Sequence, residues 1–509
     1  MFSRRDVLRK IPLGVAGVAA TTGLLVNETS AANESLNVAF SLDVPHWDAI
    51  GSSFYLPTYK SVFDMPTSLT PDLKIGPSVV TQYRWLDKEG KVLEATVREG
   101  VKFHNGDTLT SADIRFSFHE RLKADKTLFL AGIWGALIRD IETPSPNTAI
   151  FHFNVPVVSA PFQLGGTAAF IMPKRYFEEV GQDGFMKKPI GSGPYRLVDW
   201  QRDSRTVLEA FEGYWGGAPP IKRVNIQVIK DPTARAAAVQ SGNVDFAHAL
   251  PVREVLRLGQ TPNLVGRIDS INTVVTILLA NKGMYQDQNL RLAMHHAIDK
   301  GALSKAFFNG RAEVLSMWSG PGQAAYDPDF KFPFSVEKAK EHLAKSDYKS
   351  GTSPKVSLGA FNGVFPNDFD MARAIVEMWK RVGIDAEVVV TEYAKWSDLF
   401  NNQKIETPTL FSWLNPTGDP NVYSGTLMDP RKRFAVWKSD DIIPRIDPLL
   451  SEIDYDKRIA GYKKLDRWVV EQGYSMPILQ GANTIVHSKK LNYRPYLNGW
   501  TLPAYWDVV

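Results

Sequence analysis

Hydrophobic positions along the chain recur with two periods, and the switches between them mark the elements. Leu36 to Phe40 alternates with period two and predicts a first strand. Asp72 to Val80 leads into an antiparallel pair, TQYRWLD and KVLEATVRE, joined by a turn at Lys88, Glu89 and Gly90. Thr110 or Ser111 caps a helix to about Leu122, with Ile114 and Phe118 on one face, and Thr148 to Asn154 predicts another strand. The stretch from Pro189 to Ala247 is the densest. Arg205 to Ala210 and Val224 to Ile229 alternate. Asp231 then caps a helix whose first residue is Pro232, where a missing N–H is harmless, and Gly242 ends it.

The second half repeats this grammar. Asn272 to Ala280 is an apolar, β-branched run and predicts a buried strand. Leu290, Ala293, Met294, Ala297 and Ile298 form a helical stripe, and Ser335 caps the next helix. Ala372 to Trp413 reads helix, strand, helix, strand, which is crossover geometry over a sheet. Ligands of such sheets sit outside the strand ends, which puts Trp413 to Tyr423 at the candidate mouth. A long helix from Tyr455 to Glu471 precedes a strand at Ile478 and Leu479. The predicted class is α/β, and no internal repeat suggests a solenoid.

Composition narrows the function more than the fold. With 44% hydrophobic and 22% charged residues the chain is globular, and its length suits two to four domains. It has no cysteine, so disulfides and thiolate chemistry are excluded. The net charge of +4 is spread along the chain, whereas nucleic-acid binding needs a concentrated basic face. Arg4 and Arg5 precede a sixteen-residue apolar stretch, Ile11 to Val26, too short to span a bilayer. The small residues that follow, Thr29 to Ala32, complete an export signal of twin-arginine type, with Val7 standing where that motif usually has Phe. Residues 1–32 are therefore expected to be removed on export.

The chain lacks a nucleophile elbow, a zincin helix and a phosphate loop. His295 and His296 are adjacent, so they leave a helix on different faces and do not make a metal pair; a partly exposed pair is expected. Asp368 with Asp370, and Asp440 with Asp441, sit in capping contexts. No metal, cofactor or catalytic group is predicted. Aromatic residues beside turns offer binding chemistry instead. Phe411, Trp413 and Tyr423 flank Asn415, Pro416, Thr417, Gly418 and Asp419, and Trp396 opens the helix before that strand. His46 and Trp47 follow the first strand. Rigid aromatic walls with a few aimed polar groups suit a solute cleft. The expected ligand-binding set is Trp413, Asn415, Asp419, Tyr423 and Trp396, with His46 and Trp47 opposite.

The run GSGPY, the segment YWGGAPP and the stretch DPTARAAAVQSGNVDFA, with GVKFHNGDTLTSADIRFSF from Gly100 to Phe118, resemble the hallmarks of the family 5 extracellular solute-binding proteins. These are the dipeptide- and oligopeptide-type receptors of ABC importers. The resemblance implies a two-lobed periplasmic-binding-protein fold of class II type, with an extra small domain inserted in the first lobe. It assigns 33–65, 169–271 and 482–509 to lobe I, 66–168 to the insert and 272–481 to lobe II. It also implies a monomeric periplasmic receptor that closes around an oligopeptide, modified amino acid or sugar conjugate and delivers it to an inner-membrane ABC permease. In peptide-binding relatives an aspartate after the equivalent of Trp413 holds the peptide ammonium. Aligning Asp419 and Pro420 on the family's acid–Pro pair puts Pro416 at that position, and the loop Phe361 to Pro366 lacks an arginine for a ligand carboxylate. The competing expectation is an exported hydrolase using cleft carboxylates.

Overall fold

The computed structural model describes residues 35–52, 56–166 and 168–508. The expected export segment lies outside the described residues. The first half supplies strands β1 (Ser35–Phe40), β2 (Val80–Trp85), β3 (Val92–Val97), β4 (Ile138–Ser145), β5 (Thr148–Phe153), β6 (Tyr195–Gln201), β7 (Arg205–Ala210), β8 (Arg223–Val228) and β9 (Phe246–His248). The second supplies β10 (Leu264–Leu278), β11 (Val356–Ala360), β12 (Ala386–Val390), β13 (Thr409–Leu414) and β14 (Ser475–Ser488).

Local signals set most of these elements. Asp231 accepts from Ala234 N at 2.7 Å, and Gly242 closes the helix Pro232–Ser241 with φ 79°. Thr110 and Asp113 form a reciprocal capping box before Ser111–Arg115, satisfying two amides that the helix itself leaves unpaired. Ser335 caps Val336–Lys345 by accepting from Lys338 N at 3.1 Å. Beyond Asp113 the expected helix to Leu122 is interrupted by a π-turn over Phe116–Glu120.

Two apolar cores define two lobes. One gathers β1 and β8 with the first helices and the C-terminal Trp500 and Trp506; the other gathers β10 to β13 with the helices Asp368–Arg381 and Tyr455–Glu471. A single sheet nevertheless runs through both, in the order β12-β11-β13-β10-β14-β9-β1-β8-β7-β6. β11 pairs in parallel with β12 and β13, and β1 in parallel with β8 and β9, as crossover connections require. A separate antiparallel sheet, β2-β3-β5-β4, stands beside the first lobe.

The lobes are joined by an antiparallel ribbon of β10 and β14, whose register slips between Ser270 and Val274. The sequence predicted only parts of this ribbon, Asn272 to Ala280 and Ile478 to Leu479. The polar stretch Arg267, Asp269 and Ser270 hid the rest: Arg267 is bound side-on to Asp269 at 2.8 and 2.8 Å, so charged side chains continue a strand that alternation does not reveal. The histidine pair also differs from expectation. His295 is fully buried and stacked on Phe332 at 3.8 Å, and His296 stacks on the same ring at 4.3 Å.

Candidate functional site

The lobes meet where the loop after β13 faces the C-terminal segment and loops of the first lobe. β13 ends at Leu414, and the chain must turn sharply to reach the helix wall behind it. Asn415 makes that turn: its Oδ1 accepts from Thr417 N (3.2 Å), Thr417 Oγ1 (3.1 Å) and Gly418 N (2.9 Å), while its Nδ2 donates to Asp419 O at 2.9 Å. Gly418 takes φ 75°, a left-handed conformation that favours glycine. Asp419 receives both guanidinium arms of Arg458, at 2.9 and 2.6 Å, and both residues are enclosed. Tyr423, also enclosed, donates to Asn272 Oδ1 at 2.7 Å and stacks on Trp318.

Several close approaches bridge the lobes. Asn498 Nδ2 donates to Pro416 O at 3.0 Å. A Cβ on Gly166 would lie 2.5 Å from Thr417 Cγ2, and one on Gly418 would lie 2.8 Å from Leu73 Cβ, so both glycines permit contact between the lobes. Phe162 and Tyr455 stack across the gap with centroids 5.3 Å apart.

The expected binding residues fall into three groups. Asn415, Asp419 and Tyr423 do come together, but their polar atoms are spent on shaping the loop. Trp413 and Trp396 form an aromatic wall with Phe400 and Phe411; Trp413 is half-buried and donates to Val422 O at 3.1 Å, while Trp396 is buried and donates to Thr409. His46 and Trp47 pack within the first lobe. Trp47 is fully buried, edge-on to Tyr59 and Trp200, and the Tyr59 hydroxyl donates to His46 O. The paired carboxylates also serve local structure. Asp368 accepts from the amides of Gly363, Val364 and Phe365, and Asp441 from Tyr474 and Ser439.

Residues that sequence reasoning missed lie on the first-lobe side. Lys60, on the helix Leu56–Val62, is 6% exposed and holds its ammonium 5.5 Å from the Trp500 ring centroid. Burial lowers its pKa from 10.5 to about 8. Asp64 is buried below it, and burial raises its pKa to about 6 against the opposing hydrogen bonds from Trp215 Nε1 (2.9 Å) and Tyr214 Oη (3.3 Å). Sequence offered a faint signal, the single charged residue of the helix LPTYKSV.

A second gap lies on the opposite face of the ribbon. Asn483 faces the seam, donating to Gly499 O at 2.9 Å, while its neighbour Thr484 lines a groove of about 950 Å³. Leu42 and Val252 of the first lobe and Phe307 and Phe369 of the second also border it. Exposed apolar side chains mark the carboxyl ends of the sheet: Leu42 beyond β1, Val364 beyond β11, Val390 ending β12 and Leu414 ending β13. That is where open α/β sheets bind ligands.

Two cores bridged by a two-stranded ribbon, with a cleft at the strand ends, define a two-lobed solute-binding fold. The structure of HbpA2 from Haemophilus parasuis superposes with a TM-score of 0.81 at 18% identity, over 93% of this chain and 100% of that one. The family model of bacterial extracellular solute-binding proteins, family 5 middle, matches residues 74–434, and the chain belongs to that family. Among relatives, the dipeptide-binding protein of Escherichia coli (strain K12) is 25% identical over 427 residues, 77% of this chain and 79% of that protein. Heme-binding protein A of Haemophilus influenzae is 24% identical over 409 residues, 75% of each chain. The chain is thus a solute-binding receptor of the ABC-importer type.

Proposed function

We propose that this receptor is exported by the segment at residues 1–32, captures one small polar solute by closure of its lobes about β10 and β14, and passes it unchanged to an inner-membrane ABC permease. It acts in the periplasm as a monomer and performs no catalysis. The carrying observation is the ribbon: two strands connect two independent cores, and the loops on either side already touch through Asn498 and Pro416. The register slip at Ser270 to Val274 supports a hinge there, and with it the lobe boundaries at 271/272 and 481/482. The insert at 66–168, carrying the four-stranded sheet, supports the closed form through the Phe162–Tyr455 stack.

The relatives named above bind dipeptides and heme, so solute chemistry varies around one architecture. Pro416 removes an acid from the mouth, and its carbonyl is taken by Asn498. A solute held by a free α-ammonium is disfavoured; a peptide-like compound, modified amino acid or sugar conjugate recognised through other groups fits better. The Trp413–Trp396 wall supplies an apolar face for it. The test is to identify by native mass spectrometry the solute that co-purifies, then to record scattering curves with and without it. Compaction on binding is expected; superimposable curves would refute closure, and multiple-turnover product formation would refute the receptor reading.

A further inference from the structure

Six cationic side chains of this protein are buried among the described residues, and five have partners. Arg458 is bound by Asp419, and Arg121 donates to Asp48 at 2.6 Å. Arg235 donates to the carbonyls of Ile229, Lys230, His248 and Ala249. Arg291 donates to those of Tyr285, Gln286, Gln472 and Gly473. Lys300 donates to Leu315 O at 2.8 Å. Lys60 is the exception. Among the described residues its ammonium has no hydrogen bond and no ion pair; the face of Trp500 lies 5.5 Å away, and Asp64 is the charge that acts on it. The carboxylate of Asp64 lies four residues further along the chain, with one oxygen taken by Tyr214 and the other by Trp215.

A largely buried ammonium without a hydrogen bond is costly, and folded proteins satisfy such groups or use them. The location of Lys60 says which. Trp500 N donates to Asn498 Oδ1 at 3.2 Å, and Asn498 in turn bridges to Pro416 of the other lobe. Lys60 therefore stands on the first-lobe side, under the segment Asn498–Trp500 that reaches across to Pro416 of the second lobe.

We propose that Lys60 binds an anionic group of the solute, a carboxylate or a phosphate, when the lobes close. This rests on the receptor reading above. A charge-assisted bond from Lys60 Nζ would supply the hydrogen-bond acceptor that Asp64, bonded to Tyr214 and Trp215, does not, with Trp500 fixing the ammonium through its ring face. The lowered pKa of Lys60 leaves it charged at neutral pH, and an anion strengthens that charge state.

The test uses the full chain with lysine labelled at Nζ and Cε, and four probes: inorganic phosphate, acetate, N-acetyl-alanyl-alanine and the C-terminal amide of that last compound. Saturable movement of the Lys60 resonance with an anion, and none with the amide, is expected. A response to phosphate alone assigns a phosphate; a response to acetate and the free peptide acid assigns a carboxylate. Lys60→Met should weaken the active probe about tenfold or more, as loss of a desolvated charge pair does, while Lys60→Arg retains most of the affinity. A Lys60 resonance unmoved by all three anions overturns the proposal, as does equal affinity in Lys60→Met. The wild-type measurement stands even if a variant misfolds. A neutral co-purified solute that compacts the chain without moving Lys60 would end this proposal while leaving the receptor reading intact.

Discussion

The two walls of the seam treat buried charge in opposite ways. In the second lobe, the Asp419 carboxylate meets the Arg458 guanidinium through two hydrogen bonds, and both side-chain polar atoms of the neighbouring Asn415 are bonded within the loop. In the first lobe, Lys60 is almost as buried but has no hydrogen bond, with Asp64 the charge that acts on it. The contrast separates charge that builds the site from charge that awaits a partner. An acid beside a cleft is not thereby a ligand contact; what decides is whether its hydrogen-bonding capacity is already spent.

Breaking the paired side should produce the largest effect. Arg458→Met strands the Asp419 carboxylate in the interior and is expected to cost about 3–5 kcal/mol in urea unfolding at pH 7. A cost below about 1 kcal/mol would mean that the pair contributes little to the second wall.

Removing the unpaired charge should do the reverse. Lys60→Met is expected to stabilise the solute-free protein by about 1–3 kcal/mol at neutral pH, less than the full shift implies because some solvent reaches the group. The sign follows from linkage. The folded-state pKa of Lys60, about 8, lies below its ordinary 10.5, so folding is penalised while the amine is charged. The penalty is complete below about pH 8 and fades between there and 10.5, and the advantage of Lys60→Met should fade over the same window. Asp64 is the named charge acting on Lys60, and it opposes the shift. A stabilisation of Lys60→Met that persists unchanged at pH 10.5 would contradict this account.

Smaller changes sharpen the role of the aromatic wall and the latch. If the Trp413 face carries the solute, Trp413→Ala should weaken calorimetric affinity about tenfold, worth about 1.4 kcal/mol. Unchanged affinity would reduce Trp413 to packing against Phe400, Phe411 and Phe434. Tyr455→Ala should cost the closed form about 0.5–1.5 kcal/mol, the value of a stacked pair, seen as a more open scattering envelope with little change in melting temperature.

The legibility of these parts from sequence was uneven for identifiable reasons. Caps such as Asp231 and Ser335, and the stop at Gly242, are local, so the elements they bound were predictable residue by residue. The strand Tyr195–Gln201 and the polar half of β10 were not anticipated. In β10, side chains such as Arg267 and Asp269 satisfy each other in partial exposure rather than alternating with an apolar face. At the site, the aromatic set around Trp413 was recognisable, but Asp419 looked available because its partner Arg458 is 39 residues away. His46 and Trp47 looked like loop residues at a mouth, and Trp47 proves to be core.

What the sequence determined by itself was the class: short-range periodicity and caps specify an α/β chain, and dense local motifs place it in its family. Tertiary structure decided which charges are spent and which are free. Pairing and burial depend on residues far apart along the chain, and a lone lysine at position 60 looks the same in sequence whether a partner folds against it or not.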